Sequence, residues 1–301
     1  MQPSKNSLSV FAPAKLNLFL HITGRQNNGY HLLDSLVCFV DIGDKITIEP
    51  QQNFSFEITG PFSNQFQEKD RISNIDSENL VVKAARRLAQ ICEKPLNVKI
   101  TLEKNLPLAA GIGGGSSDAA STIWGLQELW GLKRDESYLL PLMTNLGADV
   151  PACLNCAPVL MRGIGDVLTP APEMPEVPIL LVNPMIDCPT REVFIHYHGH
   201  FKNDIKLPKR FTDIYDLSAF LQKTENDLYA SAAHNIPEIE NVIHSIKIED
   251  GCLLSRMSGS GATCFGMFES EVAAEKAKKH ILDENPDWWV QTGWLNRPER
   301  Y

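Results

Sequence analysis

A cluster of glycines beginning at residue 111 is the feature of the sequence best suited to hold a phosphate. Residues 107–118 read Pro-Leu-Ala-Ala-Gly-Ile-Gly-Gly-Gly-Ser-Ser-Asp. Alternating apolar residues at 96–102 predict a strand before the loop, and apolar residues at helical spacing predict a helix after it. Main-chain N–H groups and the dipole at a helix N-terminus attract an anion, and glycine lets a phosphate approach the main chain. The loop therefore predicts a phosphate site rather than a flexible linker, whose flanks are usually polar.

The loop matches neither of the two common nucleotide-binding patterns. A Walker loop ends in Gly-Lys-Ser/Thr, whereas Gly115 is followed by Ser116. A dinucleotide loop needs a third glycine at position 116 and an acidic residue at the end of a second strand. From the loop alone, the sequence predicts a bound phosphate and leaves its carrier open.

Asp149 is a candidate general base for phosphoryl transfer, which needs a group to orient or deprotonate the acceptor hydroxyl. It lies in Gly-Ala-Asp-Val-Pro, where the glycine and the proline restrict the backbone and apolar neighbours exclude water. A second interpretation is that Asp149 only caps the next short helix. The residues alone favour neither.

Lys15 interrupts an apolar strand, on the same predicted face as Asn17. A lysine beside a catalytic carboxylate keeps it ionised and neutralises developing negative charge. The alternative is an edge-strand lysine that only prevents aggregation.

The composition excludes several function classes. The 301 residues are 43% apolar and 22% charged, as in ordinary globular proteins, and the net charge of −9 argues against a nucleic-acid partner. No apolar run is long enough to span a membrane, and no signal peptide is evident. Seven cysteines without framework spacing indicate reduced thiols and a cytoplasmic location.

Two groups of residues are weak candidates for metal binding. Cys153 and Cys156 form a Cys-x-x-Cys pair, but no second pair completes a zinc site, and buried thiols are the simpler interpretation. His196, His198 and His200 would share one face of a strand, although a polar loop explains them equally well.

Strands and helices mix in both halves of the chain, which predicts an α+β fold. Prolines at 170, 172, 175 and 178 mark a domain boundary, and we divide the chain into 1–165 and 166–301. Strands are predicted at 10–22, 36–40, 45–49, 54–59 and 179–183, with a turn at 41–44 and a polar loop at 63–77. Helices are predicted at 80–91, capped by Ser77 or Asp76, and at 136–146, 217–221, 239–246 and 271–282. A second glycine-serine loop, at 257–268, leads into another strand.

Five segments together resemble the GHMP family of small-molecule kinases. They are Pro-Ala-Lys-Leu-Asn-Leu-Phe-Leu at 13–20, Gly-Tyr-His at 29–31, the loop 107–118, Gly-Ala-Asp-Val-Pro at 147–151 and Ser-Arg-Met-Ser-Gly-Ser-Gly-Ala at 255–262. Each motif alone is moderately specific, whereas five in the same order are very specific, and they cover nearly the full chain.

The resemblance implies an N-terminal domain like ribosomal protein S5 and a C-terminal ferredoxin-like domain, with the active site between them. It implies transfer of the γ-phosphoryl group of ATP, with Mg²⁺, to a small molecule that carries a cytidine diphosphate group. The acceptor would be the 2-hydroxyl of an erythritol unit, in the non-mevalonate route to isoprenoid precursors of a bacterium. Neither a nucleic acid, a membrane nor an obligate protein partner is expected.

The resemblance also assigns roles to residues. Asp149 matches the catalytic base and Lys15 its partner lysine, while Asn17 would reach the acceptor end of the substrate. Further positions match groups that bind the two substrates. For cytidine they are Tyr30, His31, Thr190 and Phe194, and for ATP they are Asn79, Leu80, Lys104, Pro107, Gly111, Gly113, Gly114, Gly115, Ser116 and Ser117.

Two points remain open within the resemblance. Asp118 stands where relatives often have asparagine or alanine, and it would either repel a phosphate or complement the helix dipole. Ser116 and Ser117 are both candidates to meet the metal, and no glutamate can be assigned as a second ligand.

Three functions are compatible with these residues. The first is the kinase of a cytidyl substrate, and the second is a sister kinase that acts on homoserine, mevalonate or a sugar. The third is a ligand sensor on the same fold that has lost turnover. An aromatic clamp at His31 and Phe194 suits a pyrimidine and has little use for homoserine, and a sensor should have lost Lys15 or Asp149.

Overall fold

The computed structural model describes residues 7–73, 75–133 and 136–297. The strands are β1 (Leu8–Arg25), β2 (His31–Pro50), β3 (Ser55–Thr59), β4 (Ile72–Ser73), β5 (Val98–Glu103), β6 (Val159–Gly163), β7 (Val167–Pro170), β8 (Val177–Asn183), β9 (Cys252–Met257), β10 (Cys264–Phe268) and β11 (Trp289–Leu295). The helices are α1 (Glu68–Arg71), α2 (Leu80–Ile91), α3 (Gly114–Trp130), α4 (Glu136–Leu146), α5 (Val150–Asn155), α6 (Thr190–Ile195), α7 (Ile214–Leu221), α8 (Tyr229–Asn235), α9 (Glu238–Lys247) and α10 (Glu271–Glu284). A short 3-10 helix spans Ser63–Gln65.

The strands form one twisted, mostly antiparallel sheet. Its order is β4-β3-β5-β2-β11-β8-β10-β9, with β1 and β6 also paired to β2 and β7 paired to β6. The two halves of the sheet join where Leu295 of β11 pairs with Val40 of β2. Within the described strands, only β3 and β5 run parallel. The predicted α+β class is confirmed.

The hairpin of β1 and β2 is longer and less regular than predicted. The predicted turn at 41–44 is wrong, because β2 continues through it, with a register shift where Pro13 pairs with Gly43 and Lys15 with Phe39. A second shift follows, with Asn17 opposite Val37 and Phe19 opposite Leu36. Such a bulge bends the strand and re-aims its side chains.

The bulge also corrects the predicted face of β1. Strict alternation would place the leucines at 16, 18 and 20 on one face with Ile22. Instead, Leu16 and Leu18 pack with Phe19 in a core cluster that includes β8 and β10. Leu20 and Ile22 join a different cluster, which includes α2 and α3.

The five helices predicted with bounds are all present, and α2 and α4 have the predicted ends, whereas α7, α9 and α10 are longer than predicted. Helix α2 is capped by Asn79, whose side chain accepts a hydrogen bond from the N–H of Val81, and not by Ser77 or Asp76. The predicted loop at 63–77 contains the 3-10 helix, α1 and β4 in its described part. Within the described residues, no helix is both long and apolar enough to cross a membrane.

The division at residue 165 falls inside a hairpin. β6 and β7 pair from Val159 opposite Pro170 to Arg162 opposite Val167. Because β6 also pairs with β2, residues 167–170 belong with the N-terminal half of the sheet. The proline-rich segment 170–178 is the boundary that this pairing favours, and the division into two domains stays a prediction.

Candidate active site

A cavity of about 570 Å³ lies between the two halves of the chain. One side is formed by the glycine loop, by Lys15 and Asn17 of β1, and by Asp149. The other side is formed by α6 and by Gly259 and Ser260 of the second glycine-serine loop. The position of the cavity therefore agrees with the predicted location of the active site, between the N-terminal and C-terminal parts of the chain.

The glycine loop lies between β5 and α3, as the sequence predicts. Gly113 occupies the N-cap of α3 with a φ of 64°, and Gly111 has a φ of 73°, both in the left-handed region that favours glycine. The carbonyl of Ile112 accepts the backbone N–H of Lys15 at 2.9 Å. This bond attaches the loop to β1, so the helix N-terminus and the lysine occupy fixed positions relative to each other.

The second glycine-serine loop packs directly on the first. A Cβ on Gly111 would lie 2.6 Å from the carbonyl oxygens of Ser258 and Gly261, so only glycine fits there. Ser258 Oγ donates to the carbonyl of Gly111 at 3.2 Å, and the N–H of Thr263 donates to that of Ala110. The glycine and serine content of 257–268 predicted a loop there. The sequence could not show that this loop contacts the glycine loop at 107–118, because the two are far apart along the chain.

Lys15 and Asp149 form an ion pair at one wall of the cavity. Lys15 Nζ lies 3.2 Å from Asp149 Oδ2, with 7% of the lysine side chain and 31% of the aspartate side chain exposed. Asp149 occupies the N-cap position of α5, but its side chain makes no capping hydrogen bond. The capping interpretation is therefore wrong. Lys15 is buried, and the glycine loop covers the edge of β1 beside it. The alternative of an exposed edge-strand lysine that only prevents aggregation is therefore wrong.

Asn17 is fully buried beside Lys15. Its Oδ1 accepts a hydrogen bond from Lys15 Nζ at 2.6 Å, and its Nδ2 donates to Ser35 Oγ at 2.8 Å. The backbone N–H of Asn17 donates to Ser258 Oγ. Asn17 lines the cavity, so a contact with the substrate stays a prediction, while its contact with the lysine is direct.

Lys104 lies beneath the glycine loop and is 1% exposed. Its ammonium contacts carboxylate oxygens of both Asp44 and Asp118. Burial opposes the charged form of Lys104, but the two carboxylates raise its pKa overall. These partners take two of the three N–H groups of the ammonium, and Lys104 also lines the cavity, so its contact with adenosine stays a prediction.

Asp118 neither faces the cavity nor acts as a free charge at the helix terminus. Its side chain is buried against Lys104, and burial, followed by repulsion from Asp44, raises the pKa of its carboxyl well above the usual value of 3.8. The Lys104 ammonium contacts this carboxyl and that of Asp44 and offsets their negative charge. The expected repulsion of a phosphate by Asp118 is therefore absent from this arrangement.

The other residues predicted to bind ATP lie at different depths. Leu80, Pro107, Gly111 and Gly113 line the cavity together with Gly114, Gly115 and Ser116. Ser117 is fully buried, and its Oγ has no hydrogen-bond partner within the described residues. Asn79 is used as the cap of α2. Ser116 is thus the better placed of the two serines to meet a ligand in the cavity.

Three rings cluster near the C-terminal wall. The centroids of His31 and Phe194 are 5.5 Å apart with planes tilted by 32°, and Tyr197 meets His31 edge-on at 5.6 Å. Burial, followed by the charge of Arg25, lowers the pKa of His31 below 6.5, so its imidazole is neutral at pH 7. Tyr30 is 62% exposed beside this cluster.

Thr190 lines the cavity and shares a 2.8 Å hydrogen bond with Ser260. Tyr197 was missed, because nothing in its spacing distinguishes it.

The candidate metal residues do not assemble. His196, His198 and His200 are exposed and follow α6 in an irregular segment rather than on a strand. Cys153 is buried in α5, Cys156 follows that helix, and no disulfide joins any of the seven cysteines. Within the described ranges, no group of three or more metal-binding side chains occurs.

Comparison with known proteins agrees with this geometry. The family model described as GHMP kinases N terminal domain matches residues 79–157, and the model described as GHMP kinases C terminal matches residues 210–287. A protein of Paramagnetospirillum magneticum named 4-diphosphocytidyl-2-C-methyl-D-erythritol kinase is 42% identical, over 96% of this chain and 99% of its own length.

Comparison with solved structures also agrees with this geometry. The crystal structure of a 4-(cytidine 5'-diphospho)-2C-methyl-D-erythritol kinase is 31% identical, covers 96% of this chain and all of its own, and superposes with a TM-score of 0.78. A homoserine kinase from Cytophaga hutchinsonii, 18% identical, covers the whole chain and 98% of its own with a TM-score of 0.68, which shows a shared fold alone. The chain is an ATP-dependent kinase and belongs to the GHMP kinase family.

Proposed function

We propose that this kinase transfers the γ-phosphoryl group of ATP to the 2-hydroxyl of 4-diphosphocytidyl-2-C-methyl-D-erythritol, giving the 2-phosphate and ADP. The observation that carries the proposal is the Lys15–Asp149 pair, which lies in one cavity with the glycine loop. The printed names of the relatives support the choice of substrate. The product would serve isoprenoid synthesis in a bacterial cytoplasm.

In the proposed reaction, Asp149 accepts the proton of the 2-hydroxyl as its oxygen forms a bond to the γ-phosphorus. The bond from that phosphorus to the β–γ bridging oxygen breaks, and ADP leaves. Lys15, whose ammonium lies 3.2 Å from Asp149 Oδ2, offsets the negative charge that develops on the transferred group. The N-terminus of α3 and the N–H groups of the glycine loop hold the phosphate chain.

The cavity suits a Mg²⁺ ion held mainly by phosphate oxygens, as is usual for this cation. Among the described residues that line the cavity, Asp149 is the only carboxylate, and Ser116 offers a hydroxyl. We propose Ser116 as the protein oxygen nearest the metal. When bound, Mg²⁺ would neutralise charge on the phosphates.

We assign the cytidine to the ring cluster of His31, Phe194 and Tyr197, with Tyr30 beside it. The His31–Phe194 centroid distance of 5.5 Å is shorter than the separation of about 7 Å that a sandwiched ring requires. Binding of a cytosine between them therefore needs the two side chains to separate. Thr190 lies at the other end of α6, toward the cavity.

An ATP-dependent assay with this substrate tests the proposal, with ³¹P NMR of the product. We expect a new phosphomonoester signal, and Asp149→Asn should lower kcat by at least about a hundredfold. The matched control is Asp213→Asn. Asp213 is also an N-cap aspartate, but its side chain caps α7 outside the cavity, so kcat should not change. Undiminished turnover in Asp149→Asn would refute the assignment of the base.

A sister kinase for homoserine, mevalonate or a sugar is the main alternative, and a silent sensor is the other. Millimolar CDP should raise the melting temperature if the ring cluster binds cytidine. Turnover of homoserine, mevalonate or a sugar without stabilisation by CDP would favour a sister kinase. Binding of CDP and ATP without any product would favour the sensor.

A further inference from the structure

A fully buried serine is connected to the Lys15–Asp149 pair through hydrogen bonds of Asn17. Ser35 lies in β2, opposite Leu20 of β1, with no solvent exposure. Its Oγ lies 2.6 Å from the carbonyl oxygen of Phe19 and 2.8 Å from Asn17 Nδ2. Asn17 in turn contacts Lys15 Nζ. A chain of buried hydrogen bonds thus runs from a backbone carbonyl to the ammonium.

The chemistry of these groups allows only one direction for the chain. A carbonyl oxygen can only accept, so the one hydroxyl hydrogen of Ser35 goes to Phe19. Toward Asn17, the hydroxyl can then only accept. Asn17 must therefore turn its amide NH₂ to Ser35, which leaves its Oδ1 facing Lys15.

The bulge in β1 provides the acceptor that fixes this direction. The register shift between Asn17 and Phe19 interrupts the regular ladder with β2 at this point. A bulge leaves ladder groups locally unpaired. The carbonyl of Phe19 takes the Ser35 hydroxyl, so the irregularity of the strand becomes part of the hydrogen-bond chain.

The orientation of the amide determines what Lys15 encounters. An ammonium has three N–H groups and no acceptor. One is given to Asn17 Oδ1, one faces Asp149 Oδ2 at 3.2 Å, and a third remains for the reaction. A reversed amide would place its NH₂ against the ammonium, and Lys15 would lose a partner and shift from its position.

We propose that Ser35 is a positioning residue, which orients the Asn17 amide so that Lys15 is held against Asp149. This inference rests on the proposed phosphoryl transfer. Ser35 touches neither substrate nor phosphate, so its effect must pass through the lysine.

Steady-state kinetics of Ser35→Ala test the proposal. We expect kcat to fall by about tenfold to a hundredfold, because small displacements of catalytic groups have effects of this size. KM for both substrates should change by less than about twofold, since no substrate contact is lost. Ser35→Thr keeps the hydroxyl and should restore most of kcat.

Two further variants separate positioning from general damage. Ser121→Ala removes another fully buried hydroxyl that donates to a carbonyl, that of Phe11, and it should leave kcat unchanged. In an Asn17→Ala background there is no amide left for Ser35 to orient. There, Ser35→Ala should lower kcat by less than about twofold.

The inference fails if Ser35→Ala retains kcat within about twofold of the unmodified enzyme, or if its full effect persists in the Asn17→Ala background. Absence of ATP-dependent turnover in the unmodified protein would instead refute the proposed function.

Discussion

At the scale of the residue, Gly113 shows how closely the glycine loop and Lys15 fit together. A Cβ at this position would lie 2.6 Å from Lys15 Cγ, and the backbone φ is 64°. An alanine would therefore both strain the backbone and displace the lysine.

We expect Gly113→Ala to lower kcat by about tenfold to a hundredfold at saturating ATP, because Lys15 must move from Asp149. The backbone strain should also cost about 1 kcal/mol of unfolding free energy. Gly131→Ala is the control. Gly131 ends the same helix with a φ of 61°, and in the described part of the chain no atom outside its neighbours and its own helix backbone lies within 4 Å of the added Cβ. Gly131→Ala should therefore lose stability and keep kcat. Equal kcat values for both variants would contradict this prediction.

Residue types predicted part of this site. Lys15 and Asp149 stand out because a charged group interrupts apolar sequence, and the structure brings them to 3.2 Å, although their roles stay predictions. Ser35 and Tyr197 have no comparable feature in the sequence around them. Their importance comes from strand register and ring packing, which no local pattern shows.

At the scale of the element, the sequence predicted the existence of β1 and missed its most useful feature. The alternation of 10–22 indicates a strand, but a bulge inserts one residue without a distinct sequence signal. At this bulge Leu18 and Leu20 enter different core clusters, and the Phe19 carbonyl accepts the Ser35 hydroxyl. The ends of α2 are as predicted, but the residue that caps it is Asn79 rather than Ser77 or Asp76.

Asp118, beyond the first turn of α3, leads to a prediction about pH. The raised pKa of Asp118 means that the folded protein binds this proton more tightly than the unfolded chain does. Stability is therefore lost as the pH rises above 3.8 toward the raised pKa. Asp118→Asn removes this titration and still offers an oxygen to Lys104. We expect it to be more stable than the unmodified protein by about 1 kcal/mol or more at pH 8.

Urea unfolding at pH 5 and pH 8 measures this difference, which should grow with pH. Asp44→Asn is the contrasting variant. Asp44 accepts hydrogen bonds from the N–H groups of Asn105 and Leu106 as well as from Lys104, so its loss should destabilise by about 3 kcal/mol. A loss of stability in Asp118→Asn that does not vary with pH would show that Asp118 is ionised in the folded protein.

At the scale of the whole molecule, the cavity depends on contacts that bring the C-terminal half onto β1. Arg256 of β9 makes one of these contacts and is largely buried. Its guanidinium donates to the carbonyls of Leu18, Leu221 and Thr224 and to the Thr224 hydroxyl. Burial lowers the pKa of Arg256 to about 10, because its hydrogen-bond partners are neutral. Leu18 is next to Asn17, so this arginine supports the strand that carries Lys15.

Arg256→Met keeps a long, unbranched side chain and removes all of its hydrogen-bond donors. We expect this variant to lower the unfolding free energy by about 3 kcal/mol. Four hydrogen bonds are lost at once, although the Leu221 carbonyl keeps those from the N–H and hydroxyl of Thr224, so both urea unfolding and kcat/KM should show the loss. Arg297→Met is the control. The Arg297 side chain is 53% exposed, lies 5.2 Å from the Trp294 ring and pairs with Glu176 at 3.7 Å, so its removal should cost less than about 1 kcal/mol. Equal losses in the two variants would mean that the halves are held together by core packing, and that Arg256 only fills space between them.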